Sequence, residues 1–433
     1  MKTCPSLVRT AVLRAVALAI FLLSTAFLLP TPAATQTPRA TQEVTLLAGG
    51  DFARGAIGRD IGLDPVYLQR VENWPPIPYL NLEEHRDAIR ARIGKEDLDE
   101  GTHYGRTMIP PDRKFATPEE ERRYPFVRIL DLLRNADVAF ANLEMPLTDA
   151  RCIARGACGA PALANTLRWA GFDVMSVANN RVHDAEAVGV LDTIRALSRA
   201  GVSPVGGGRN LADARRPLII ERKGLKLAFL AYTYGTSRGI DGFVRPDEQG
   251  AGVMPLDPLL IKEDIKRVRS QADFVVLSFH WGRVVQQDEK TGAYRFRDVP
   301  MVERDFAHEM IDAGADIILG AHAHNPKGVE VYKRGVIFYC FGMLAFGHGH
   351  EEWMDNFVGR VTLARGAIPR VEIVPIAGKG LDVMQPFPLQ GQRAQALLQD
   401  IQKLSADLDT KMTIEGDIGV IRPQASPVTA SAR

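Results

Sequence analysis

Five short apolar runs, each leading into residues that can ligate a metal or move a proton, constrain this chain more than any other feature. Asp51 follows "EVTLLAGG", and Asn142 and Glu144 follow "DVAFA". Asn179, Asn180, His183 and Asp184 follow "DVMSVA", His280 follows "FVVLSF", and His322 and His324 follow "DIILGA". Short runs rich in β-branched residues read as strands. Because they are continuously apolar rather than alternating, they belong to strands buried on both faces. Ligands in open α/β sheets bind outside the carboxyl ends of the strands. Segments far apart in sequence are therefore expected to converge on one polar site.

Helical patterns lie between the strands. They are "PEEERRYPFVRILDLLRN" from Pro118, "PALANTLRWAG" from Pro161, "AVGVLDTIRALSRAG" from Ala187 and "VERDFAHEMIDAG" from Val302. This alternation predicts an α/β fold with parallel pairing. "LKLAFLAYT" from Leu225 is a further strand, and "GVEVYKRGVIFYC" reads as a hairpin turning at Arg334-Gly335, so the sheets are expected to be mixed. "LRWAGFDVMSVANN" and "MIDAGADIILGAHAH" share one local design: a helix end, a Gly cap, a strand, then ligand-type side chains. The Pro- and charge-rich stretch from about residue 56 to 125 reads as an insertion over the sheet edge or the rim of the site. The tail "RPQASPVTASAR" reads as disordered.

The first residues carry a different message. Lys2, Arg9 and Arg14 precede the apolar run Ala15–Leu29, and small residues and prolines follow it. That is the order of a secretory signal peptide with cleavage near Ala33 or Ala34. The run is shorter than the ~20 residues of a spanning helix, and an uncleaved anchor is the alternative. No second stretch of spanning length follows, so the expected location is the periplasm or cell envelope, with membrane contact only through an uncleaved N-terminus. In such a compartment Cys152 and Cys158 either close a disulfide or stay as two thiols, and Cys340 in "VIFYCFG" reads as a buried strand residue. With 53 basic and 52 acidic residues and no Lys/Arg stripe, the charge gives no indication of nucleic acid.

Asp, Glu, Asn and His together describe a site for two divalent ions of the Mn, Fe or Zn type. A paired site needs about six to eight protein ligands, one a bridging carboxylate; it acidifies water and clamps an in-line displacement. Singly, each residue has a plainer reading. Asp51 could be a turn or helix cap, Glu144 sits in an ordinary "NLE", and His280 before Trp281 could be a hydrogen-bonded core residue. It is their joint placement that favours the metal site. Residues two apart on a strand share one face, which would let His322 and His324 chelate together.

In this order the motifs resemble the CapA family, capsule or poly-γ-glutamate synthesis proteins. The similar stretches are "LLAGGDFARG", "ADVAFANLEMPLT", "AGFDVMSVANNRVHDAEAVGVLDTIRAL", "PVGGGRNLADARRP", "GLKLAFLAYT", "ADFVVLSFHWG" and "GADIILGAHAHNPKGVEVYKRGVIFYCFGML". The resemblance implies a four-layer α/β/β/α sandwich of two mixed sheets, metallophosphatase-like and related to calcineurin-like phosphoesterases. The implied domain spans 43–385, after a signal peptide or anchor at 1–34 and before a C-terminal helix and disordered tail at 386–433. The implied metal ligands are Asp51, Glu144, Asn180, His280, His322 and His324. Several positions depart from the family pattern. Arg181 stands where the family has a leaving-group His, and His183 nearby could take that role. Arg283-Val284 lacks the family Glu, Gly320–His324 lacks one His, and Met343 replaces an Asn. His348 and His350 lie in a Gly-rich loop, for which an exposed position is the plainer reading and entry into the site the alternative.

The implied function is that of an exported hydrolase of a phosphoester or related envelope substrate, beside polyglutamate synthesis or export proteins. The alternative is a non-catalytic protein that handles or tethers an anionic polymer such as poly-γ-glutamate. Export predicts that N-terminal sequencing of envelope-associated protein finds a start near Thr35; a start at Met1 or Lys2 would show an anchor instead.

Overall fold

The computed structural model describes residues 43–53, 114–150, 158–235, 250–282, 299–346, 354–367 and 369–422. The signal or anchor segment, most of the 56–125 insertion, Cys152, Arg283-Val284, the His348/His350 pair and the tail past residue 422 lie outside the described residues. The strands in chain order are β1 (Glu43–Ala53), β2 (Val138–Leu143), β3 (Val174–Ser176), β4 (Ser203–Val205), β5 (Gly207–Gly208), β6 (Leu218–Arg222), β7 (Leu225–Thr233), β8 (Gly252–Val253), β9 (Phe274–Trp281), β10 (Ile317–His322), β11 (Val329–Tyr332), β12 (Gly335–Phe338), β13 (Met343–Phe346), β14 (Asn356–Ala364), β15 (Arg370–Ile376), β16 (Thr413–Glu415) and β17 (Ile418–Ile421). The α-helices are α1 (Pro118–Arg123), α2 (Leu130–Arg134), α3 (Leu163–Ala170), α4 (Glu186–Ala200), α5 (Leu211–Ala214), α6 (Pro258–Val268), α7 (Met301–Asp312) and α8 (Gly391–Ala406). Among the described residues no helix is long and apolar enough to cross a membrane.

Two mixed sheets carry the fold. The first runs β16-β17-β15-β14-β1-β2-β3-β4, with β13 pairing the end of β1. The second runs β11-β12-β10-β9-β7-β6. Strands β1 to β4 are parallel, as are β7, β9, β10 and β12, and antiparallel hairpins close both edges of the second sheet. Side-chain alternation divides the second sheet's faces cleanly. Leu227, Phe229 and Ala231 of β7, Val276 of β9, and Ile317 and Leu319 of β10 enter the core shared with the first sheet. Phe140 of β2 stacks on Phe229 within that core, centroids 6.1 Å apart. The intervening residues Leu230, Tyr232, Leu277, Phe279 and Ile318 instead meet Ile261 and Ile265 of α6 and Phe306 and Met310 of α7. Continuous apolar strands are thus explained by burial on both faces, one against a sheet and one against helices.

Helices α3 and α4 end where their glycines are, at Gly171 and Gly201, both left-handed. The 118–135 helix expected from sequence is broken in three: α1, a 3-10 turn at Tyr124–Phe126, and α2. Pro125 cannot donate into a continuing helix, and the turn instead buries Phe126 against Phe52, centroids 5.0 Å apart. The β11–β12 hairpin turns at Lys333-Arg334, one residue earlier than expected, because Tyr332 pairs with Gly335 and Lys333 adopts φ +54°. Helix α8 is present in the C-terminal segment, but it is followed by β16 and β17, which extend the first sheet through β15. Cys158 is disulfide-bonded, its partner lying outside the described residues, and Cys340 is a buried free thiol.

Two glycines beside the ligand-type residues are required by close approach. A Cβ on Gly50 would sit 1.8 Å from the Gly342 carbonyl oxygen, and one on Gly320 would sit 2.1 Å from that of Tyr339. The backbone amide of Asp51 donates to that same Gly342 oxygen at 3.1 Å.

Behind the carboxyl ends of β9 and β10 lies a buried ion pair, Lys327 Nζ to Glu303 Oε2 at 3.2 Å. It ties the first turn of α7 to the segment after His324. Removing one partner strands the other charge. Lys327→Met is expected to lower unfolding stability by about 3–5 kcal/mol, and Glu303→Leu added to it should restore most of the loss. Urea denaturation of the two variants checks this, and equal stability of the single and double variants would refute it.

Candidate metal centre

The polar residues that end β1, β2, β9 and β10 meet at one seam, where the two sheets come together. Asp51 is fully buried and both its oxygens are engaged. Oδ1 accepts from Asn142 Nδ2 at 2.7 Å, and Oδ2 accepts from the backbone amide of His322 at 2.9 Å. Asn142 Nδ2 also lies 3.2 Å from His280 Nδ1. Asn179 holds Asn142 in turn, donating to its Oδ1 at 3.2 Å and to the Leu143 carbonyl at 2.7 Å. The Asn179 side-chain oxygen accepts from the amides of Arg181 and Val182, which fixes the turn after β3. That turn brings Asn180 Oδ1 within 3.0 Å of His280 Nε2.

Two sets of donors are close enough to hold a cation, and Glu144 belongs to both. One is Glu144, His280 and His322; the other is Asp51, Glu144 and His324. Within each set the ligand atoms all lie within 4.8 Å of one another. His324 Nε2 is 3.2 Å from Glu144 Oε2 and 3.9 Å from Asp51 Oδ2, while His280 Nε2 is 3.8 Å from Glu144 Oε1. Asn180, at His280 Nε2, adds an amide oxygen to the first set. All six residues singled out as ligands from the sequence are thus brought together.

The histidine pair does not act as the sequence spacing implies. Strand β10 ends at His322, and both residues leave the extended region, with φ +91° at His322 and +58° at His324. Such conformations are costly for a non-glycine residue and cluster at functional sites. The bend turns the two rings to different donor sets, their centroids 6.2 Å apart, instead of presenting both to one ion.

Burial sets the charge states. Desolvation, reinforced by Glu144, pushes the Asp51 carboxyl up to about 7. Burial would raise Glu144 too, but the neighbouring His324 imidazole, with His280 and Arg181, holds it below the usual carboxylate range. Burial pushes His280 down to about 4, leaving it a neutral imidazole at physiological pH. Imidazole nitrogens in both sets and one carboxylate shared between them are donors a divalent cation takes, so the residues present fit a pair of such ions.

Arg181 is near enough to influence both Glu144 and His280 electrostatically, with Nη1 3.6 Å from Asp184 Oδ2 and its side chain 37% exposed. His183 is only 1% exposed and belongs to neither donor set. Met343, paired with Asp51 across β1 and β13, packs with Ala53, Phe346, Val383 and Met384, so an apolar wall borders this side. Sequence reasoning missed Tyr234, whose hydroxyl lies 2.7 Å from His322 Nε2. It follows β7, and examining the end of that strand as the others were examined would have found it. Asn142 and Asn179 were visible as polar residues past strands, but their role as hydrogen-bonded supports was not.

The chain belongs to the family described as bacterial capsule synthesis protein PGA_cap, whose profile matches residues 103–348. Asp51 lies before that stretch and joins the site through the contacts above. The capsule biosynthesis protein CapA of Bacillus anthracis is 29% identical over 264 residues, 58% of this chain and 61% of that one. The PGA biosynthesis protein CapA of Bacillus subtilis is 30% identical over 211 residues, 48% of this chain and 52% of that one. The chain therefore spans only about half to three-fifths of the length of these two relatives. The Mycobacterium tuberculosis protein named "Probable polyglutamine synthesis accessory protein" is 28% identical over 335 residues, covering 72% of this chain and 78% of that one. Solved structures resemble it loosely. The calcineurin-like phosphoesterase YfkN of Bacillus subtilis gives a TM-score of 0.30 at 12% identity, covering 85% of this chain and 98% of that one.

Proposed function

We propose that this chain is an exported, CapA-like hydrolase with a metallophosphatase-like site for two divalent ions, acting on a phosphoester or related envelope substrate during capsule or poly-γ-glutamate synthesis. The observation that carries the reading is the Glu144 carboxylate common to both donor sets. Glu144, Asn180, His280 and His322 would hold one ion, and Asp51, Glu144 and His324 the other. Ions so held supply Lewis-acid polarisation of a phosphoryl oxygen and acidify water. The basic start, apolar run and small residues of the first 34 positions support export. The names of the relatives support polyglutamate synthesis or export proteins as partners.

The protein's own residues then divide the work. Asn142 and Asn179 hold Asp51 and His280 in place through the hydrogen bonds described above. Arg181, permanently charged, can bind a phosphate or carboxylate bidentately but cannot pass a proton near neutral pH. That favours a second reading for the same site, in which the protein grips an anionic polymer without cleaving it.

Two sets of variants test these readings. His322→Ala and His324→Ala are each expected to remove one of the two bound ions, and the double variant both, while the fold survives. Metal content and thermal unfolding would be measured together, and full retention by the double variant would sink the assignment. Arg181→His should raise phosphodiesterase turnover on model substrates toward the ~10²–10⁴-fold contribution of a general acid. If His183 already supplies the proton, His183→Ala should abolish activity and Arg181→His should change little. If neither changes any hydrolytic rate at constant metal content, polymer handling replaces hydrolysis.

A further inference from the structure

Tyr234 lies beside two histidines of one donor set. Its hydroxyl lies 2.7 Å from His322 Nε2, and its backbone amide donates to the His280 carbonyl at 3.1 Å. Its ring is tilted against that of His322, centroids 4.7 Å apart at 51°, and near-parallel to that of His280, 6.5 Å away at 19°. A tyrosine 5% exposed must place its hydroxyl somewhere, and a satisfied core tyrosine is the plain alternative. Two observations argue for more. The hydroxyl's partner is a ligand-set imidazole, and His322 has φ +91°, outside strand geometry, so strand rotation does not set the direction of its ring. The His322 backbone is pinned by Asp51, and the far end of its ring by Tyr234.

We propose that Tyr234 is a positioning residue for His322, holding Nε2 so that Nδ1 is the nitrogen offered to a divalent cation shared with Glu144 and His280. This rests on the metal reading of the site. A ligand histidine is normally aimed by a hydrogen bond at its other nitrogen, and losing that partner typically weakens metal binding by about 10–100-fold. A phenol hydroxyl donates and accepts. It can therefore donate to Nε2 when Nδ1 carries the ring proton, and accept from Nε2–H when Nδ1 gives its lone pair to a cation. His322 belongs to one donor set and not to the set of Asp51, Glu144 and His324, which makes the effect selective.

The test is Zn²⁺ titrated into the full protein and its Tyr234→Phe variant against a chromophoric chelator, with ferric ion loading as a second measurement. The expected result is a drop of about 10–100-fold in affinity for one of two ions, the other unchanged, with no visible phenolate-to-iron charge-transfer band in the ferric wild type. Unchanged affinity for both ions in the variant overturns the positioning role, and equal weakening of both reassigns Tyr234 to general packing. A charge-transfer band that disappears in Tyr234→Phe makes the tyrosine a ligand, which also overturns the proposal. A wild-type protein that binds no Zn²⁺ overturns the metal reading itself, and the positioning role with it.

Discussion

One hydrogen bond, from the His322 backbone amide to Asp51 Oδ2, joins the carboxyl end of a central strand in the first sheet to that of a central strand in the second. Asp51 is fully buried, and the bond is charge-assisted whenever its carboxyl is ionised. Around it the chain has accepted awkward geometry: two histidines at positive φ, and glycines at 50 and 320 where no side chain fits. Neither of these belongs to a sheet optimised for stability. They are intelligible as the conditions for bringing donors from both sheets within bonding distance.

The electrostatics follow from the same crowding. Burial drives Asp51 and His280 toward their neutral forms, while Glu144, between imidazoles and near Arg181, keeps its charge. Their influences on stability have opposite signs. Asp51, raised to about 7, binds more protons folded than unfolded, so its contribution falls as pH rises from about 4 to 7. His280, lowered to about 4, binds fewer, so its contribution grows between about 4 and 6.5. The seam is thus buffered against pH by two groups that resist charge from opposite directions. Beside them Glu144 keeps its carboxylate charge, with the Arg181 guanidinium at the rim.

Much of this was legible in the sequence because the signals are local. The apolar runs that form β1, β2, β7, β9 and β10 are strands because burial on two faces leaves no polar alternation. The convergence of Asp51, Glu144, Asn180, His280, His322 and His324 was legible from their place at or just past strand ends. What was not legible depends on tertiary geometry or on weak signals. Pro125 breaks a helix whose amphipathic pattern continues through it. β16 and β17 are short, and only the Gly416-Asp417 turn between them marks the hairpin. The division of His322 from His324 arises from backbone angles that spacing does not encode. Tyr234 looks like any aromatic after a strand until its hydroxyl is seen beside a histidine.

Each donor set takes at least one residue from each sheet: Glu144 from the first with His280 and His322 from the second, and Asp51 and Glu144 from the first with His324 following the second. A cation held by either set would be a cross-link between layers that otherwise adhere through their apolar core. The force needed to part the sheets, and the temperature at which they separate, would then be set by the surroundings as well as by the chain. At a free cation concentration 100 times its dissociation constant, mass action adds about 2.7 kcal/mol per site. A protein built this way would hold its shape most firmly where divalent ions are abundant, and would loosen first along this seam where they are scarce.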